Sequence, residues 1–146
     1  MDRGKPGSKI HALSDRAGLL LAVGVSAANT HDNHAFKPLV KAIPAVRSQR
    51  SSRRARPNKL HADKAFDVTE LRRWLRQRGI TPRIARKGIE SSTTLGKHRW
   101  VIERSIAWLF GHRRLTIRYE RHAHLFCAFL TLAAVLTCYK KLAKTK

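Results

Sequence analysis

Apolar and polar residues alternate through 8–14 (SKIHALS), turn-forming residues occupy 15–18 (DRAG), and 19–26 (LLLAVGVS) is an apolar, partly β-branched run. Alternation turns one side of a strand to a core and the other to water, so this stretch predicts a β-hairpin. Thr30 and Asp32 can cap a short amphipathic helix, in which Ala35, Phe36, Leu39, Val40 and Ile43 recur at helical spacing until Pro44 stops it. Residues 59–66 (KLHADKAF) read as a short strand ending in a turn. Asp67 then caps a helix with Val68, Leu71, Trp74 and Leu75 on one face, and Gly79 ends it. Residues 80–85 (ITPRIA) form the next strand and 86–94 a polar, glycine-containing loop. Two helices complete the pattern. One, over 97–114, has a broad apolar surface with arginines on the remainder; the other, over 122–143, is apolar nearly all round and is expected to be covered on more than one side. Strands interleaved with helices predict an α/β fold.

The segment 47–57 (RSQRSSRRARP) interrupts this pattern as a basic, low-complexity stretch without apolar periodicity, expected as an exposed loop. It concentrates a property of the whole chain, in which 31 Lys and Arg face 9 Asp and Glu for a formal net charge of +22 over 146 residues. A polyanion is the partner such a charge implies, because each cation set against a phosphate releases a condensed counterion. Charge names a class of partner and no reaction. Apolar residues at 42% exclude a chain disordered throughout.

Cys127 and Cys138 lie in an apolar stretch without the spacing of a zinc site and are expected as reduced, buried thiols. No signal-peptide pattern opens the chain, which implies a cytoplasmic protein. The uncharged run 125–139 (LFCAFLTLAAVLTCY) is shorter than the roughly 20 apolar residues a bilayer requires, so a buried helix is expected and no membrane partner. Trp74, Trp100 and Trp108 sit among apolar residues on helices and are expected in the core. His11, His61 and His98 lack ligand spacing.

Nine acidic residues in so basic a chain each invite a structural reason. Asp15 has one in a turn, Asp32 and Asp67 at helix starts, Glu70 in a first helical turn and Glu90 in a polar loop; Asp2 and Glu120 lie near a terminus and after a helix. Asp63, at a strand end between apolar neighbours, and Glu103, mid-helix beside Ile102, Ile106 and Ala107, have none. A buried carboxylate needs a cation, so each pairs with an arginine, Arg99 being the obvious partner of Glu103, or holds a metal.

The ordered series GKPGSKIHALSD, GLLLAVGVSAANTHD, KLHADKAFD, RWVIERSIAWLFGHRRLTIRYER and FLTLAAVLTCYKKL resembles, nearly end to end, the catalytic domain of bacterial insertion-sequence transposases of the insertion-sequence-five type. The resemblance implies an RNase H-like mixed sheet flanked by helices, in which an Asp on the first strand, an Asp after the fourth and a Glu on a later helix bind two divalent metals, Mg²⁺ or Mn²⁺. Asp63 matches the second carboxylate, Glu103 the Glu, and Arg99 the Arg four residues before it. A Tyr and a Lys of related transposases are replaced here by Gly96 and Phe110; Arg113 and Arg114 are offered as the substitute charge. The strand bearing the first Asp falls upstream of the matched stretch, and Asp2 and Asp15 are poor substitutes. Residues 1–146 are therefore expected to be the carboxy-terminal part of such a domain, without its first strand, with a hydrophobic last helix and with little strand cleavage or transfer by themselves. Arg53 and Arg54 in the basic segment, Lys64, Arg99, Arg104, Arg113 and Arg114 are the cations expected to hold DNA, at transposon ends and target. A second copy or a separate amino-terminal part is the protein partner this implies, in the nucleoid of a bacterial cytoplasm. The rival reading is a non-catalytic DNA- or RNA-binding module whose Asp63 and Glu103 merely pair with arginines.

Overall fold

The computed structural model describes residues 7–48, 51–54, 56–86, 88 and 92–144, with the side chains of 46–48, 51–54 and 92–98 outside the description. They fall into two compact units, Met1–His31 with Val101–Lys146, and Asp32–Trp100.

The first unit is built on the expected hairpin. Strands β1 (Ser8–Ser14) and β2 (Leu20–Ala27) pair antiparallel, with Ile10 opposite Val25 and Ala12 opposite Val23, and the register shifts after Leu13. Asp15 closes the turn, its Oδ1 accepting from the Leu19 amide at 2.8 Å, and Gly18 supplies the φ of +88° that a side chain disfavours. Period-2 alternation brings Ile10, Val23 and Val25, with Leu20, onto a cluster of Leu109, Leu115, Phe126, Leu130, Ala133 and Ala134. The last four belong to helix α5 (Ala123–Ala143), where the two alanines sit buried and the larger Phe126 and Leu130 fill the remaining space.

Helix α3 (Ser92–Phe110) reaches the hairpin through Ser105, whose fully buried Oγ lies 2.7 Å from Gly18 O and 2.9 Å from Val101 O. Gly111 follows its end, and a single turn, α4 (Arg113–Thr116), leads toward α5. The one long helix expected over 97–114 thus begins earlier and breaks at glycine, the residue that loses most backbone entropy in a helix. His112 Nε2 and Thr137 Oγ1, 3.1 Å apart, tie this break to α5.

The expected cover on more than one side of α5 is not found among the described residues. Leu132, Val135, Leu136, Tyr139 and Leu142 stand 41–70% exposed on the face away from the hairpin. By length and composition α5 also suffices to cross a bilayer, a length the uncharged run 125–139 alone does not reach. Its other face is already committed to the core.

In the second unit, helix α1 (Asn33–Lys41) buries Phe36 and Val40, and the Phe36 ring lies 5.4 Å from that of Phe66. Asp32 stands at its N-cap position but makes no side-chain capping bond. Strands β5 (Lys59–Ala62) and β6 (Thr81–Ile84) pair in parallel across helix α2 (Thr69–Gln77), a βαβ unit whose core is Leu60, Leu71, Leu75, Ile80 and Ile84. Arg72 of α2 binds the unit together, donating to Ile84 O at 2.9 Å and to Asp67 Oδ1 at 2.8 Å. That pairing draws the Asp67 carboxylate away from the capping role expected of it, and Val68, in extended backbone, holds the N-cap position.

The basic segment, expected as a loop, contains two short paired strands, β3 (Val46–Ser48) and β4 (Ser51–Arg54). Ladder hydrogen bonds need no apolar side chains, which is why hydropathy gave no sign of them. The α/β class stands. In place of one mixed sheet, the described strands form three separate two-stranded pairs, two antiparallel and one parallel.

Candidate functional site

Asp63 follows the last residue of β5, where the chain leaves the sheet for a 3₁₀ turn (Lys64–Phe66), and its carboxylate accepts from the Lys64 amide at 2.5 Å. It is exposed, as is Lys64. Glu103 lies on α3, two residues before the buried Ser105, and is exposed too. The expectation that both carboxylates are buried is therefore corrected. A strand end gives onto the surface even when its neighbours are apolar, and the side of α3 turned to the core is the one carrying Ser105 and Leu109. Both carboxylates stand at the surface, Asp63 with one oxygen accepting from the Lys64 amide.

Asp63 belongs to the unit Asp32–Trp100 and Glu103 to the other. Arg99 and Glu103 both interact within the chain. Among the described residues no three His, Cys, Asp or Glu side chains gather into a metal-holding group.

The remaining candidates divide by what already occupies them. Arg104 donates through Nη2 to Ala17 O at 2.8 Å and lies 5.0 Å from the centre of the Trp108 ring, so it braces the hairpin turn against α3. Arg113 and Arg114 are exposed and, with Tyr119, line a cleft of about 410 Å³. Arg53 and Arg54 lie in β4 with side chains outside the described residues, as does Gly96. Phe110 is 42% exposed.

Of the tryptophans, Trp100 departs from the expected core position at 50% exposed, while Trp74 and Trp108 are half-buried beneath cations, Arg78 at 4.7 Å and Lys141 at 4.0 Å from the ring centres. An aromatic ring offers a cation its negative face, which suits a chain with so many arginines and lysines. Cys127 and Cys138 are free thiols, only partly buried.

Tyr119 was not legible as a functional candidate, since it falls in a segment without periodicity. The signal available was its place among Arg114, Arg118 and Arg121.

Residues 1–138 match the family described as Transposase DDE domain. The chain is also 44% identical, over 143 residues, to the Burkholderia cepacia protein assigned as transposase of insertion sequence element IS402, an alignment covering 98% of this chain and 68% of that relative. No solved structure matches significantly. A family match over nearly the whole chain, joined by this identity, places the protein among the insertion-sequence transposases of the DDE family.

Proposed function

We propose that residues 1–146 are the carboxy-terminal part of an RNase H-like catalytic domain that cleaves and joins DNA strands at transposon ends, with Asp63 and Glu103 as two of its three carboxylates. The observation carrying this reading is the family match over residues 1–138, within which both acids stand exposed. Carboxylate oxygens are hard donors, so Mg²⁺ or Mn²⁺ suits them. Such ions, when bound, supply activation of the attacking hydroxyl and stabilisation of the leaving oxygen. Asp63 and Glu103 are the residues that would supply oxygen ligands to such ions, each from its own unit, and Arg99, Arg113, Arg114, Lys64 and the basic segment with Arg53 and Arg54 are the cations that would grip the phosphate backbone. A bacterial cytoplasm, where DNA is met directly, is the matching location.

With two of three carboxylates, the 146 residues by themselves attract both ions weakly and cut little. Incubated with Mn²⁺ and transposon-end DNA, the chain is expected to leave strands intact; cutting that Glu103→Gln abolishes would overturn this and assign the third ligand to another acid. Mn²⁺ binding, followed by electron paramagnetic resonance, is expected to weaken in Asp63→Asn and in Glu103→Gln. The rival, a basic DNA- or RNA-binding module, draws on the bond from the Lys64 amide, which gives Asp63 a capping role without metal. Mn²⁺ binding indifferent to both substitutions would favour it.

A further inference from the structure

We propose that the cleft lined by Arg113, Arg114 and Tyr119 is a site for an unpaired nucleotide of single-stranded DNA, the phosphate held by the two guanidinium groups and the base stacked on the phenol ring. The inference rests on the reading of the protein as DNA-acting and adds the form of DNA that this place takes. At about 410 Å³ the cleft is within the range of small-molecule sites.

Its walls are held in place. The Arg114 guanidinium lies 5.1 Å from the centre of the Phe129 ring, and its Nη1 donates to Glu120 Oε1 at 3.2 Å. The Glu120 side chain is only 6% exposed while that of Arg114 is 61% exposed, so a buried carboxylate fixes a guanidinium whose other donors remain at the surface. Arg118, next to Tyr119, fastens the intervening loop: Nε donates to Glu120 O at 2.8 Å, Nη2 to Arg121 O at 3.2 Å and Nη1 to Ser8 Oγ, and the group lies 5.4 Å from the Phe126 ring centre. Arg118 is thus spent on structure. Among the described residues, Arg113, Arg114 and Tyr119, itself 66% exposed, are the side chains turned to the cleft.

A guanidinium matches a phosphate with paired, directed donors, and an aromatic ring matches any base through its π-face. In duplex DNA that face is covered by neighbouring pairs, so a stacking site selects an unpaired nucleotide. A surface merely rich in lysine and arginine would make no such distinction.

The test compares the chain and its Tyr119→Ala, Tyr119→Phe and Arg114→Ala variants by fluorescence anisotropy on a single-stranded oligonucleotide, its duplex and the single strand with abasic positions, each variant first checked by thermal melting. Tyr119→Ala is expected to weaken single-strand binding roughly 5- to 150-fold and duplex binding by less than about twofold, while Tyr119→Phe retains affinity. Abasic positions should weaken the wild-type chain and leave Tyr119→Ala unaffected. Arg114→Ala should lower the salt slope on single strands by about 0.7. Tyr119→Ala acting equally on both forms, or on neither, overturns the stacking site and leaves the DNA-acting reading intact. A wild-type chain that binds neither form overturns both.

Discussion

A Cβ built on Gly18 would stand 3.0 Å from Ser105 Oγ and 3.2 Å from Arg104 Nη2, in a backbone conformation that L side chains rarely adopt. The turn of the hairpin and the side of α3 therefore constrain each other. Gly18→Ala is expected to destabilise by about 1–3 kcal/mol, from backbone strain. Ser105→Ala removes the hydroxyl that satisfies Gly18 O, for about 1–3 kcal/mol more. Because both act on one junction, urea melts of the double variant should show less than the sum; strict additivity would mean that the two residues do not depend on each other. Glu70 illustrates the opposite case, a surface interaction legible in titration. The ammonium of Lys37, first by hydrogen bond and then by charge, holds the Glu70 carboxyl below its ordinary value. A depressed folded value means that the contribution is present above the unfolded value, about 4.3, and is lost as pH falls through the folded one. NMR titration should place the Glu70 midpoint below the usual range and move it up in Lys37→Met, with the charge of Arg73 still acting to lower it. An unchanged midpoint in that variant would exclude the pair.

Helix α5 separates the two ways an apolar residue can sit on one element. Leu130 is fully buried against the hairpin core and Leu132 is 55% exposed on the opposite side. Leu130→Ala is expected to cost about 2–5 kcal/mol of stability, whereas Leu132→Ala should stay within about 0.5 kcal/mol. Denaturation of both would check it; equal losses would mean that the outer face is covered in solution. The sequence could not make this distinction, because hydropathy all round a helix does not say which side a core occupies. It was explicit where periodicity was strict: β1 and α2 follow from alternation and from the spacing of Leu71 and Leu75, and Gly18 and Gly79 were read as turn and stop. It was silent on β3 and β4, whose pairing is carried by backbone. It misread Asp67, because the pull of Arg72 is a tertiary contact that local capping rules cannot weigh. Asp63 and Glu103 were found for a reason the structure corrects, since they are exposed rather than buried; what singled them out is the resemblance of the surrounding motifs.

At the scale of the whole molecule, charge outweighs any single contact. Among the described residues, the ion pairs Lys37–Glu70, Arg72–Asp67 and Arg114–Glu120 each set one cation against one of the nine acids. With so few acids in the chain, most of its positive charge is left for solvent or ligand. A net charge of +22 attracts nucleic acid, and affinity is then expected to be dominated by release of counterions from the phosphates covered. For about 6–10 phosphate contacts, affinity for duplex DNA is expected to fall roughly 10³- to 10⁵-fold between about 50 and 200 mM salt. Anisotropy titrations across that range would measure the slope on transposon-end DNA and on unrelated sequence. Equal slopes are expected, because the phosphates are the same, and any preference for ends should appear as a constant offset from base contacts. A shallow slope on both would mean that few phosphates are engaged, and would remove the basic surface as the basis of DNA binding. An offset that vanishes with rising salt would show that the preference is itself electrostatic, read from the shape of the duplex rather than from its base edges.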